Sequence, residues 1–197
     1  MPEQLLAILM IVAKCAYFYL PAVAANMAPV VVAKIVPGNW PIWETRLGRN
    51  KTWRGLISGI IAAGIIFAIQ KDLMFTRGGS YVSLFDYREE SIIIWALLFG
   101  GGALVGDALK SFFKRRIPDG ELWPSWYPVP ADERRYPDGA KWYPMDQIDF
   151  IIGSTVFVSF IHFPGWEMFG TALFLTLFLH PAINYMAFKV GLKKVPH

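Results

Sequence analysis

Apolar residues run almost unbroken through five stretches of this chain, separated by segments where charges, prolines and tryptophans collect. The stretches are Leu5 to Ala24, Trp53 to Leu73, Ser91 to Phe113, a run from Asp146 to just before Pro164, and Trp166 to Val190. A bilayer core about 30 Å thick takes roughly 20 apolar helical residues per crossing. The pattern therefore predicts an all-α integral membrane protein with five transmembrane helices. The fourth run starts polar and has little apolar length; the short His162–Trp166 connection, which reads as a tight turn between helices, is the argument for it. Small residues recur every four positions at Gly55, Gly59 and Ala63, and again at Gly102 and Gly106. Such rows let helix backbones approach closely in lipid, and ordinary packing is their plainest use.

The charged residues orient this bundle. Fifteen lysines and arginines fall in the first and third connections and the C-terminal tail, against three in the second connection and none in the fourth. The excess marks the cytoplasmic face. The N-terminus is then outside, the C-terminus inside, and the number of crossings odd. Composition agrees: 55% of the 197 residues are hydrophobic, and the mean hydropathy is +0.39. A single membrane domain over residues 1–197 is expected, rather than a soluble core. The net charge of +4 suits anionic lipid or an anionic ligand equally. The lone cysteine, Cys15, excludes an intrachain disulfide framework. The first run has no basic segment ahead of it and reads as a retained helix rather than a signal peptide. Residues 117–144, rich in proline, tryptophan and tyrosine, read as a cytoplasmic or interfacial loop at headgroup level.

Candidate chemistry gathers at the cytoplasmic ends of these helices. Asp107, Lys110, Ser111 and Lys114 fall at i, i+3, i+4 and i+7 and share one helix face. A carboxylate inside a spanning helix costs at least ~2.5 kcal/mol at the bilayer centre, so Asp107 needs a partner. The plain alternative is an ion pair with Lys110 or Lys114. Asp146 and Asp149, three apart, project together from the start of the fourth helix, where acidic residues also favour the helix dipole. Three carboxylates at one depth, among lysines and arginines, suit magnesium bound together with an anion rather than a dedicated calcium cage. In the first connection, Gly48-Arg49-Asn50-Lys51-Thr52-Trp53-Arg54-Gly55 leads directly into a helix whose free N–H groups face anions. It lacks the order of a Walker A loop, and a basic anchor with an N-cap explains it as well. Asn26 and Pro29 follow the predicted first helix, where Asn26 suits a C-cap. His180 and Asn184 flank Pro181 and suit a hydrogen bond that mends a kink. Lys14 receives no role.

Taken together, Asn26-Met27-Ala28-Pro29, Lys51-Thr52-Trp53-Arg54-Gly55, Gly106-Asp107 with Ser111 and Lys114-Arg115-Arg116, and Asp146-Gln147-Ile148-Asp149-Phe150 resemble the archaeal CDP-archaeol synthases. The ending Gly191-Leu192-Lys193-Lys194-Val195-Pro196 is similar to that family's tail, and the resemblance covers nearly the whole chain. A more distant likeness reaches the CDP-diacylglycerol synthases, whose Pro-Gly-His-Gly-Gly run is absent here. The resemblance implies transfer of CMP from CTP to an unsaturated diether glycerol phosphate, with Mg2+ as cofactor and release of pyrophosphate. Asp107, Asp146 and Asp149 would hold the metal and, with Lys114, form the catalytic set. Asn26, Lys51, Thr52, Arg54 and Ser111 would bind the nucleotide, and Arg115 and Arg116 the lipid phosphate. The expected partners are CTP, the polyisoprenoid lipid and the cell membrane, with the site facing the cytoplasm; a homodimer is compatible, and nucleic acid is not a partner. A CTP-dependent polyprenol kinase, a cation transporter using the same aspartates and a non-catalytic scaffold are the rival readings.

Overall fold

The computed structural model of the chain describes residues 2–114 and 144–191. Among the described residues the protein is helical, with no strand and one isolated antiparallel bridge between Pro41 and Thr52. The expectations on Arg115, Arg116, residues 117–143 and the tail beyond Gly191 lie outside the described residues. So do those on the side chains of Lys114, His180 and Asn184.

Helix α1 spans Pro2–Ile35, well past the expected end at Ala24. Pro21 and Pro29 lie inside it. Each removes one backbone donor, but neighbouring helices make proline tolerable in an apolar helix. Here Pro29 packs against Gly55 of the next long helix, where an added Cβ would meet it at 3.2 Å. Asn26 is therefore not a C-cap after the helix; it is a half-buried position within α1. After the short α2 (Glu44–Leu47) comes α3, Trp53–Leu73, matching the predicted second helix. Its N-cap is Thr52, whose hydroxyl accepts the Gly55 N–H at 3.1 Å. Helix α4 (Arg77–Val82), which periodicity did not predict, is capped in the same way by Thr76.

Helix α5 (Ile92–Ala96), a π-helical turn (Leu97–Gly101) and α6 (Gly102–Lys114) form the predicted third rod. The wider turn falls where Gly100 presses onto α3, with an added Cβ only 2.7 Å from Ile60 Cα. Helix α7, Met145–Val158, has 14 residues, and α8, Trp166–Lys189, has 24. At 1.5 Å per residue α7 is only about 21 Å long.

Helix α1 packs mainly on α3, and α6 mainly on α7. Between them lies an aromatic core. Phe67 stacks on Trp95 at 5.3 Å between ring centroids, and Phe18 meets Phe99 edge-on at 5.2 Å. The Trp95 indole N–H donates to Glu90 Oε2 at 2.7 Å, closing the end of the core away from α2. The Tyr19 and Thr155 hydroxyls hydrogen-bond at 2.7 Å and tie α1 to α7. The outer faces are apolar: Ile57, Ile61, Ile65 and Ile69, one helical turn apart on α3, are all exposed. Among the described residues, three helices are long and apolar enough to cross a bilayer: Glu3–Ile35, Trp53–Leu73 and Ile92–Phe113. The chain is a helical membrane protein on these grounds.

Candidate active site: three aspartates around one lysine

A glycine seam sets the site. Gly102 and Gly106 on α6 face Gly153 on α7. A Cβ at Gly106 would lie 2.4 Å from Asp149 O, and one at Gly153 would lie 2.2 Å from Gly102 O. Only bare backbone fits there, so the two helices touch main chain to main chain. The residue after Gly106 is Asp107, and Gly106 itself abuts the backbone of Asp149. The close approach thus carries the two carboxylates to one spot. Asp146 lies one turn nearer the N-terminus of α7, and Lys110 one turn nearer the C-terminus of α6. Acid at a helix start and base at a helix end both complement the dipoles.

Lys110 stands in the middle. Its Nζ is 3.0 Å from Asp107 Oδ1, 3.1 Å from Asp146 Oδ1 and 2.8 Å from Asp149 Oδ2. On the other side of Asp107, Lys51 Nζ donates to Oδ2. The loop before α3 aims Lys51 there. Its carbonyl accepts the Ile42 N–H at 2.8 Å, and the Trp53 N–H donates to Trp40 O at 3.0 Å, so the backbone on both sides is held. Asp149 is the most enclosed of the three acids at 7% exposure, and one of its oxygens accepts the Phe150 N–H at 2.8 Å. Its other oxygen, Oδ2, lies 2.8 Å from Lys110 Nζ and has no further partner among the described residues.

The sequence-predicted residues divide on this geometry. Asp107, Asp146, Asp149 and Lys51 come together. Ser111 shares their helix face, but its hydroxyl donates to the Asp107 carbonyl at 2.9 Å. Thr52 is committed to capping α3, and Arg54 donates to the carbonyls of Val36 and Gly38, closing the end of α1. Among the described residues, no hydrogen bond or ion pair joins Asn26, Thr52 or Arg54 to the aspartates. Lys110 is the residue that sequence reasoning left out of the site. Its spacing from Asp107 was visible, but only as a local pair on one helix. The approach of α7 makes it the hub.

The donor set fits a hard divalent cation in character: carboxylate oxygens, one of them buried with only an ammonium beside it among the described residues. Among the described residues no three acidic, histidine or cysteine groups close a metal cage by themselves. Magnesium seldom has such a cage; one or two carboxylates, waters and substrate phosphates complete its shell.

Comparison with known proteins identifies the family. The family model for CarS-like CDP-archaeol synthase matches residues 8–121 and 133–197. The CDP-archaeol synthase of Methanospirillum hungatei is 32% identical over 165 residues, covering 80% of this chain and 85% of that protein. Those of Thermococcus onnurineus and Thermococcus kodakarensis are 31% and 30% identical, each over 184 residues. The first covers 91% of this chain and 94% of its own length, the second 91% and 93%. No solved structure matches the chain. With the match running over nearly the whole length, through the glycine seam and all three aspartates, the chain belongs to the CarS-like CDP-archaeol synthase family.

Proposed function

We propose that this chain forms CDP-archaeol by transferring CMP from CTP to an unsaturated archaeal diether glycerol phosphate, with magnesium as cofactor, at the cytoplasmic side of the cell membrane. Family membership supports the reaction class. The observation that carries the site is the convergence of Asp107, Asp146 and Asp149 on Lys110, with Lys51 alongside, at one end of an apolar bundle.

A phosphate oxygen of the lipid attacks the α-phosphorus of CTP. The bond from that phosphorus to the bridging oxygen breaks, and pyrophosphate leaves with the electron pair. The attacking group is already an anion, so no strong general base is required. The demand is to bring two anions together and to stabilise spreading negative charge. Asp107, Asp146 and Asp149 would hold the magnesium, which when bound neutralises phosphate charge and polarises the reacting phosphoryl group. Lys51 adds fixed positive charge beside the carboxylates, and Lys114 is assigned with them to the catalytic set. Asn26, Thr52, Arg54 and Ser111 complete the nucleotide side of the assignment. Thr52 and Arg54 also act indirectly, because their hydrogen bonds hold the loop that carries Lys51. Arg115 and Arg116 are assigned to the lipid phosphate, where forked guanidinium donors suit an anion at the headgroup level.

The five crossings, an outside N-terminus and a cytoplasmic C-terminus belong to the same proposal and rest on the lysine and arginine asymmetry. The test of the reaction is mass spectrometry of products from purified full-length protein with CTP, magnesium and a panel of ether and ester lipid phosphates. CDP-archaeol together with pyrophosphate is the expected result. Release of CDP would assign a γ-phosphoryl kinase instead, and no CTP turnover at all would leave transport or scaffolding.

A further inference from the structure

The carboxylate oxygens assigned to magnesium are the same atoms that surround one ammonium, and the role of that ammonium rests on the proposed metal assignment. Asp107 Oδ1, Asp146 Oδ1 and Asp149 Oδ2 all lie between 2.8 and 3.1 Å from Lys110 Nζ. Magnesium takes its oxygens at about 2.0–2.1 Å. A metal drawing on these oxygens would compete with the ammonium for the same lone pairs, and two cations sharing a poorly solvated site repel. Full occupation of the cluster by one weakens the hold of the other.

A second observation bears on which gives way. Asp149 Oδ2 is fully enclosed, and the Lys110 ammonium 2.8 Å away is its one partner among the described residues. When the lysine swings away, this oxygen is left buried and charged, ready for another cation. Lys110 also has somewhere to go, because its four-carbon stem is flexible and its head is a compact charge that re-aims readily. It sits on the last turns of α6, where the bundle ends.

The geometry points to Lys110 as an exchangeable internal cation. It holds the three aspartates together before the metal arrives, surrenders their oxygens to the metal, and turns its ammonium toward the triphosphate that accompanies it. Lys110 is on this account a positioning residue for the metal, and metal binding tight enough for turnover is coupled to the nucleotide that receives the displaced charge.

The test is binding of Mn2+ alone, without nucleotide, to the full-length protein in detergent, followed by electron paramagnetic resonance. Lys110→Met removes the competing charge and is expected to tighten Mn2+ binding roughly tenfold or more over the unaltered protein. Lys110→Arg keeps the charge and is expected to bind Mn2+ as the unaltered protein does. Unchanged or weaker Mn2+ binding in Lys110→Met overturns the exchange. The unaltered protein offers an independent measurement should the variant fail to fold. Acylation of the Lys110 amine, mapped by peptide mass spectrometry, is expected to rise as Mn2+ is added, and a flat response overturns the idea. A protein that shows the Mn2+ effect but makes no CDP-archaeol defeats the proposed reaction and leaves the exchange standing. Product formation with indifferent Mn2+ affinity does the reverse.

Discussion

Asp107 meets a different ammonium on each of its carboxylate oxygens, Lys110 at Oδ1 and Lys51 at Oδ2. Such a carboxylate is expensive to place in an apolar bundle and is stabilised only by its partners. Replacing it, or the buried Asp149, with asparagine keeps the shape and removes the charge. We expect Asp107→Asn and Asp149→Asn each to lower CTP-dependent turnover by about 100-fold or more, the scale seen when a group acting on developing charge is lost. Turnover is read by product mass spectrometry, with the elution volume on size exclusion unchanged. Near-normal turnover in both variants ends the metal assignment. Thr52→Ala is a different kind of change. It loses the α3 cap and is expected to cost about 1 kcal/mol, seen as a lower unfolding midpoint. The three aspartates were legible in the sequence because a carboxylate in or beside an apolar run must have a reason. The central position of Lys110 was not legible, since it depends on a second helix arriving from nearly forty residues away. Asn26 was misread for a related reason: Pro29 looks like a helix stop unless a neighbouring helix packs against it, as Gly55 allows.

At the scale of elements, the seam between α6 and α7 does what the loops cannot. Gly106→Ala would drive a methyl to 2.4 Å from Asp149 O, and backbone on both sides leaves it no room. Overpacking of this kind costs about 1–3 kcal/mol. We expect a lower thermal midpoint in detergent and a loss of turnover larger than the loss of folded protein, because Asp107 and Asp149 are pushed apart. Gly170→Ala on α8 is the matched control. Its added Cβ meets nothing within 4 Å, so its midpoint should hold or rise. Equal effects from the two substitutions would mean the seam does not set the site. The spacing of Gly102 and Gly106 revealed a packing row, but not which helix it served. That partner, Gly153, is a single glycine in α7 with no pattern around it. The π-helical turn and the short α2 and α4 were likewise invisible, because they answer to contacts across the bundle and not to local periodicity.

For the molecule as a whole, the open question is how the chain returns to the site after α7. At about 21 Å, α7 is shorter than a bilayer core of about 30 Å. If α7 did not cross, the end of α8 would face the opposite side from the aspartates. The proposed arrangement, in which α7 crosses, has one contact in its favour. Lys34, in the last turn of α1, donates to the Gly191 carbonyl just beyond α8 at 2.9 Å, so both helices end on the same side. The loop bearing Lys51 follows α1 directly, which puts the site on that side too. On the proposed five-crossing arrangement, α7 and α8 together make a full return, with bilayer thinning or snorkelling at the short helix. Cysteine accessibility can read this out cleanly, because the only native cysteine, Cys15, is buried. In intact cells a membrane-impermeant maleimide should label Glu3→Cys and Ser80→Cys. Arg49→Cys and Lys189→Cys should react only after permeabilisation. Labelling of Lys189→Cys from outside, with Arg49→Cys still protected, would reduce the count to four crossings and separate the C-terminus from the catalytic face. Protection of both puts Lys189 on the same side as the loop bearing Lys51, where its charge would add to the attraction for the anions of the proposed reaction.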